Sequence, residues 1–142
     1  MNLHLEIITP EKIVYKNDVD EVVVQSENGQ ITILPNHVGL LTKIVPGELI
    51  VKKGGSTQLL AITGGFLEVE KNNVSILADY AVRAEDIEVL KAQEAQRRAG
   101  KLMEEKRSEK DFATAQAEMI KAITELKVAT KYKRKPSRPT EV

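Results

Sequence analysis

The chain has 142 residues, no cysteine, 42% hydrophobic residues and as many basic as acidic side chains, which is room for one domain of ordinary size or a small core with an appendage. Without cysteine there can be no disulfide, iron–sulfur cluster or thiolate zinc site. No apolar run approaches the roughly 20 residues that span a bilayer, and "MNLHLEIITPEK" lacks a basic flank ahead of a long apolar stretch, so a cytosolic location is expected.

From Asn2 to about Val82 the pattern is period two or short apolar runs. In order these are "LHLEII", "DEVVVQS", "QITIL", "ELIVKK", "QLLAIT", "FLEVE" and "VSILAD". Each is rich in Val and Ile and bounded by turn chemistry at Asn28-Gly29, Pro35-Asn36, Pro46-Gly47, Gly54-Gly55, Gly64-Gly65 or Asn72-Asn73, the signature of strands joined by tight turns. With no helix-length segment between the turns, antiparallel pairing is expected. So many short strands bury their apolar faces only as a sandwich or a barrel. The first domain is read as an antiparallel β-sandwich over 1–84.

After Arg83 glycine nearly vanishes and Ala, Glu, Lys, Gln and Arg take over, a helical composition. Asp86 is the expected N-cap of a first helix running to about Lys106, with Ala92, Ala95, Ala99 and Leu102 on one stripe. A second helix follows "RSEKD", with Phe112, Ala115, Met119, Ala122, Leu126 and Ala129 spaced three, four, three, four, three. The two stripes make an antiparallel two-helix hairpin over 85–130, an α+β chain as a whole. Alanine buries little apolar area, at about 25 cal/mol per Å². The hairpin should be lightly held and able to leave its resting place at modest cost.

Charge divides along the chain. Residues 1–86 carry 7 Lys and Arg against 12 Asp and Glu, and residues 87–142 carry 14 against 9. From Lys127 onward there are 6 basic residues and one acid. The tail 131–142 fits a polyanion-binding segment or a disordered end that maintains solubility. Disorder is the expectation, and no aromatic-rich basic strand points to nucleic acid.

Catalytic constellations are missing. His4 and His37 are the only histidines, and nothing places them together or beside an activated serine, so neither a catalytic nor a metal site is expected. "KKGGST", residues 52–57, has the residues of a phosphate loop in the wrong order, between two strands, and is read as a hairpin turn. Glu68, Glu70 and Asp79 belong to the solvated face of alternating strands. "IEVLKA", residues 87–92, opens the helical half, and its Glu88 and Lys91 are spaced for an ion pair worth a few tenths of a kcal/mol.

Five stretches, in order, carry a resemblance: "ITPEKIVY", "ILPNHVGLLTKIVPGEL", "ITGGFLEV", "VSILADYAVRAEDI" and "ELKVA". Together they resemble the epsilon subunit of the rotary ATP synthase of bacteria and chloroplasts, from about Leu5 to Ala129. The resemblance implies a non-catalytic rotor subunit that needs no cofactor. Its sandwich would bind the gamma subunit and rest on the c-ring, at the cytoplasmic face of the cell membrane and touching the membrane only through the complex. Its hairpin would permit turnover when folded and oppose ATP hydrolysis when extended toward the catalytic alpha and beta subunits, with Lys121, Lys127 and Lys131 meeting acidic segments.

Some members also bind ATP through a first-helix motif of Ile or Leu, Asp, two variable residues, Arg, Ala. The motif falls on Ile87, Glu88, Val89, Leu90, Lys91 and Ala92, with a further arginine at Arg98 and another replaced by Lys121. Both charged members are changed, and lysine lacks arginine's planar five-donor fork. A second-helix arginine becomes Glu125, which repels phosphate. ATP is therefore expected only as a weak regulatory ligand. In a sandwich turn the family often has Gly-Glu-Leu-Gly, where this chain has Gly29, Gln30, Ile31 and Thr32, so a neutral Gln30 replaces a charged contact to the ring; His37 matches the family's loop histidine. The competing reading is a stand-alone ATP-sensing module whose helices close on nucleotide.

Overall fold

A computed structural model of the chain describes residues 2–105 and 108–134. These fall into two compact units that divide between Arg83 and Ala84.

The first unit holds ten strands: β1 Leu3–Ile8, β2 Ile13–Val19, β3 Glu21–Ser26, β4 Gly29–Ile33, β5 Leu40–Ile44, β6 Gly47–Lys53, β7 Ser56–Ile62, β8 Gly65–Glu70, β9 Asn73–Ala78 and β10 Ala81–Arg83. They form one hydrogen-bonded path, β10-β7-β6-β3-β5-β8-β9-β1-β2, with β4 paired to β3 off the path. The path folds over at β3, whose first half pairs with β6 while Ser26 pairs with Ile44 of β5. Alternate residues of the two layers, among them Leu3, Leu5, Ile7, Val22, Val24, Leu49, Leu60, Ile62, Leu67, Val74 and Ile76, close on one core. That is how period-two sequences bury one face each.

The turns follow their chemistry. Lys71 and Asn72, both at positive φ, make the two-residue link between β8 and β9 that Glu70 and Asn73 close. The predicted turn lay one residue later. Gly54 and Gly55, also at positive φ, turn β6 into β7, and the Asp20 carboxylate accepts from the Gly54 N–H at 2.7 Å. Thr9 brackets the Pro10-Glu11 corner between β1 and β2: its N–H donates to the Lys12 carbonyl at 2.9 Å, and the Lys12 N–H donates to its hydroxyl at 3.3 Å. Gly65 is required by close approach, since a Cβ there would lie 1.9 Å from the Leu77 carbonyl oxygen.

Two features depart from expectation. β1 pairs with β9 in parallel, Leu5 opposite Val74 and Ile7 opposite Ile76. The seven strands between them supply the long connection that a parallel pair needs. Strands β2, β5 and β10 were not anticipated. β2 sets Lys16, Asn17 and Asp18 in a row, β5 reads Leu40-Leu41-Thr42-Lys43-Ile44 with its apolar residues out of alternation, and β10 has three residues, so none offers a strong periodic signal.

The second unit opens with a 3-10 turn, Ala84–Asp86, and continues as α1 Val89–Glu105 and α2 Glu109–Arg134, which pack on each other, with the turn against α2. Ala92 and Ala99 of α1 and Ala115, Ala122 and Ala129 of α2 are buried. Gly100 sits beside Met119, whose methyl lies 3.3 Å from where a Cβ would be. The seam is the alanine stripe expected, except that Leu102 and Phe112 at its far end stay exposed.

Asp86 does not cap α1. It ends the 3-10 turn, closed by an Ile87 N–H to Ala84 carbonyl bond of 3.2 Å, and the first helical bond runs from Ala92 N–H to the Glu88 carbonyl at 3.0 Å. Glu88 thus holds the capping position. α2 begins earlier than expected, because Ser108 caps it: its carbonyl receives the Phe112 N–H and its hydroxyl the Asp111 N–H at 3.0 Å.

The helix also runs past residue 130. Residues 131–134, assigned above to a disordered tail, continue α2. Lys131 and Lys133 are good helix formers whose positive charge complements the C-terminal end of the helix dipole. The rest of that tail, and the Lys106 end expected for the first helix, lie outside the described residues.

Candidate functional site

Of the residues matched to the nucleotide motif, the structure brings together Glu88 and Lys91. Their carboxylate and ammonium stand 3.1 Å apart, with both side chains about two-thirds or more exposed. Ile87 precedes the helix and is half-buried, while Ala92 is buried and belongs to the seam. Arg98 is exposed two turns beyond Lys91 on nearly the same face of α1. Lys121 is exposed on α2, with Glu125 one turn further on and half-buried. The arrangement is a charged helix surface: the acid that would bind a ribose or an amine already engages the base that would bind phosphate.

A second place on the hairpin is shaped. Gln96 of α1 and Ile123, Leu126, Lys127, Thr130 and Lys131 of α2 line an open groove of about 510 Å³. Lys127 and Lys131 were singled out as partner-facing, and they flank this groove one turn apart. The apolar floor was not foreseen. Its signal is Ile123, an isoleucine one step off the seam that runs through Met119, Ala122 and Leu126.

On the sandwich, cross-strand register assembles a row that no single run contains. Phe66 pairs with Leu77, Leu77 with Ile8, and Ile8 with Ile13. All four point away from the core, and Phe66, Leu77 and Ile13 are 53%, 55% and 53% exposed. Leu41 of β5, 72% exposed, lies opposite Glu68 in the next row of the same face. That row continues through Ser75 to Glu6, whose carboxylate is 3.9 Å from the Lys16 ammonium. A line of uncovered large apolar side chains rimmed by charge is the composition of a protein–protein contact. Glu68, Glu70 and Asp79 are solvated as expected.

The two other interface candidates stand on β4 and in the loop that follows it. Gln30 of β4 is exposed and accepts from the Gln25 amide at 3.1 Å. His37 lies in the loop between β4 and β5, where its Nδ1 is 2.7 Å from the Val38 carbonyl. Nδ1 therefore carries a proton, and in the neutral ring Nε2 is left as acceptor. Beside it Val38 is 74% exposed, and the Asn36 N–H donates to the Asn72 side chain at 2.6 Å, tying this loop to the β8–β9 turn.

At the other end of the sheet Tyr15 of β2 is buried, with the Arg83 guanidinium 5.4 Å from its ring centre. Burial raises its pKa above the ordinary tyrosine value, while the Arg83 charge and an Asn17 hydrogen bond work the other way.

A family model described as "ATP synthase, Delta/Epsilon chain, beta-sandwich domain" matches residues 2–84, and one described as "ATP synthase, Delta/Epsilon chain, long alpha-helix domain" matches residues 85–130. The ATP synthase epsilon chain of Herpetosiphon aurantiacus is 42% identical over 129 residues, covering 91% of this chain and 95% of that one. That of Caldanaerobacter subterraneus subsp. tengcongensis is 39% identical over 130 residues, 91% and 94% of the two chains. The chain belongs to the ATP synthase epsilon-chain family.

Solved structures share the fold. A chain in the cryo-EM structure of the Euglena gracilis mitochondrial ATP synthase superposes with a TM-score of 0.65 at 21% identity, covering 94% of this chain and 80% of that one. One in the central stalk and c-ring structure of the Tetrahymena thermophila mitochondrial ATP synthase gives 0.59 at 14% identity, covering 91% and 97%.

Proposed function

We propose that this chain is a non-catalytic central-stalk subunit of a proton-translocating ATP synthase, held at the cytoplasmic face of the membrane through the complex. Its sandwich joins the gamma subunit and the c-ring, and its helical hairpin restrains ATP hydrolysis by reaching the catalytic alpha and beta subunits. The observation that carries the reading is the outward-facing row Phe66, Leu77, Ile8 and Ile13, in which Ile8 is half-buried and the other three are exposed. A lone soluble domain gains nothing from four large apolar side chains aligned on its solvent face, whereas a subunit docked on gamma covers them.

The hairpin supports the regulatory half of the proposal. Its buried seam is mostly alanine, so little apolar area holds the two helices, and Lys121, Lys127 and Lys131 offer positive charge along α2 to an acidic partner. Gln30 and His37 are proposed as contacts to the ring. ATP is proposed as a weak ligand of the first turns of α1, at Ile87, Glu88, Lys91, Ala92 and Arg98, with Lys121 assisting.

Two measurements on the purified complex test the proposal. Phe66→Glu with Leu77→Lys should abolish co-purification with gamma while the lone chain stays close to its parent melting temperature, because both side chains are already half in water and the new charges are opposite in sign across the Phe66–Leu77 pair; retention of gamma counts against the docking face. Ending the chain at Asp86 should raise ATP hydrolysis by the reconstituted complex, and an unchanged rate counts against the hairpin as inhibitor.

A further inference from the structure

Arg83 is the last residue of the sandwich unit. It lies on β10, which has three residues and pairs with β7 alone. A strand that short, with one neighbour, frays readily unless something else holds it. β10 and β2 are the two ends of the hydrogen-bonded path, and among the described residues no backbone ladder joins them.

The Arg83 side chain spans that gap. One guanidinium nitrogen donates to the Val14 carbonyl at 3.2 Å, and the guanidinium carbon lies 5.4 Å from the centre of the Tyr15 ring. Tyr15 is only 7% exposed, so the contact is partly withdrawn from water, where a cation over an aromatic face gains most. A planar guanidinium donates and stacks at once, which an ammonium does not.

We infer that Arg83 is a positioning residue that clasps β10 to β2, closing the sheet end to end and fixing the point from which the helical unit departs. The joint between the units then falls on residues 84–88. There the backbone makes a single 3-10 turn, closed by the Ile87 to Ala84 bond, before the helical ladder starts at Glu88. Without the clasp the joint spreads back into β10. The clasp is a property of the lone chain and holds whether or not the rotor reading is right.

Hydrogen exchange on the full chain, together with spin-label distances between exposed Lys43 on β5 and exposed Lys101 on α1, tests it. Arg83→Ala should speed exchange of the β7–β10 ladder about tenfold, the scale of one partly desolvated cation–π contact, leave β8 and β9 unchanged, and broaden the distance distribution. Tyr15→Phe, which keeps the ring, should behave as wild type; Tyr15→Leu should mimic Arg83→Ala, and the double variant should add nothing; Arg83→Lys should recover part of the effect. Three results overturn the inference: ladder exchange within twofold of wild type in Arg83→Ala, acceleration spread evenly over the sandwich, or faster ladder exchange with an unchanged distance distribution.

Discussion

Lys91 Nζ stands 3.1 Å from Glu88 Oε1, one turn along the solvent face of α1. The two charges that match a nucleotide motif thus satisfy each other, at a separation where an exposed pair is worth only a few tenths of a kcal/mol. Breaking the pair releases Lys91 at little cost, but an ammonium remains a poor substitute for a two-pronged phosphate donor.

Restoring the chemistry should restore affinity. Glu88→Asp, Lys91→Arg and Glu125→Arg together are expected to tighten ATP binding at least about tenfold, since Arg–phosphate contacts are charge-assisted and bidentate. Calorimetry of the lone chain measures this, with amide shifts over residues 87–98 as the local readout. Equal affinity in the parent and the triple variant removes ATP from the account of this surface.

Ser108 carries the start of α2. Ser108→Ala should cost about 1 kcal/mol of hairpin stability, the usual worth of an N-cap, and the loss should appear as faster exchange of the Asp111 and Phe112 amides. Ser108→Asp should hold the parent stability, because its carboxylate accepts the same bond and complements the helix dipole.

Much of the fold could be read from period and punctuation, because most strands bury alternate residues and most turns carry glycine or asparagine. The hairpin was legible from the alanine spacing of Ala92, Ala99, Ala115 and Ala122. β2 was not: between buried Tyr15 and Val19 it spends three positions on Lys16, Asn17 and Asp18, and it is held as a strand by β1 rather than by its own propensity. The site divides in the same way. Glu88 and Lys91 are three apart in sequence and their pairing follows from helix geometry. Residues 8, 13, 66 and 77 become neighbours only through the register of β8, β9, β1 and β2, which no local pattern encodes.

Gly65→Ala should be among the most damaging single substitutions in the sandwich. The added methyl would fall 1.9 Å from the Leu77 carbonyl, which is backbone and held in the β8–β9 ladder, and φ at this position is +137°. A loss of at least about 3 kcal/mol is expected in chemical denaturation. Gly54→Ala, where no atom lies within 4 Å of the added carbon, should carry only the smaller strain of a positive φ, about 1 kcal/mol.

Alkali should act through Tyr15. Its folded pKa is raised, first by burial, so above the ordinary value of about 10 the unfolded chain loses this proton while the folded one keeps it. The contribution is whole below the unfolded pKa and is lost as pH rises through the folded one. Denaturation midpoints should therefore fall above about pH 10, and Tyr15→Phe should remove that share of the decline. Arg83→Ala should move the Tyr15 transition higher still in an absorbance titration, because the charge that lowers it is gone.

The parallel pairing of β1 with β9 sets a schedule for synthesis. The hairpins β3–β4, β6–β7 and β8–β9 can close as soon as their own residues leave the ribosome, yet β1 must wait until Leu77 has followed it out to be bordered on both sides. Until then the row Leu3, Leu5 and Ile7, which ends at most 1% exposed, stands on a strand with β2 as its sole neighbour. Linking two ends so far apart in the chain is the slow kind of contact, so refolding should be limited by this union. A nascent chain cut anywhere between Val19 and Asn73 would leave one edge of its first strand without the partner it has in the fold.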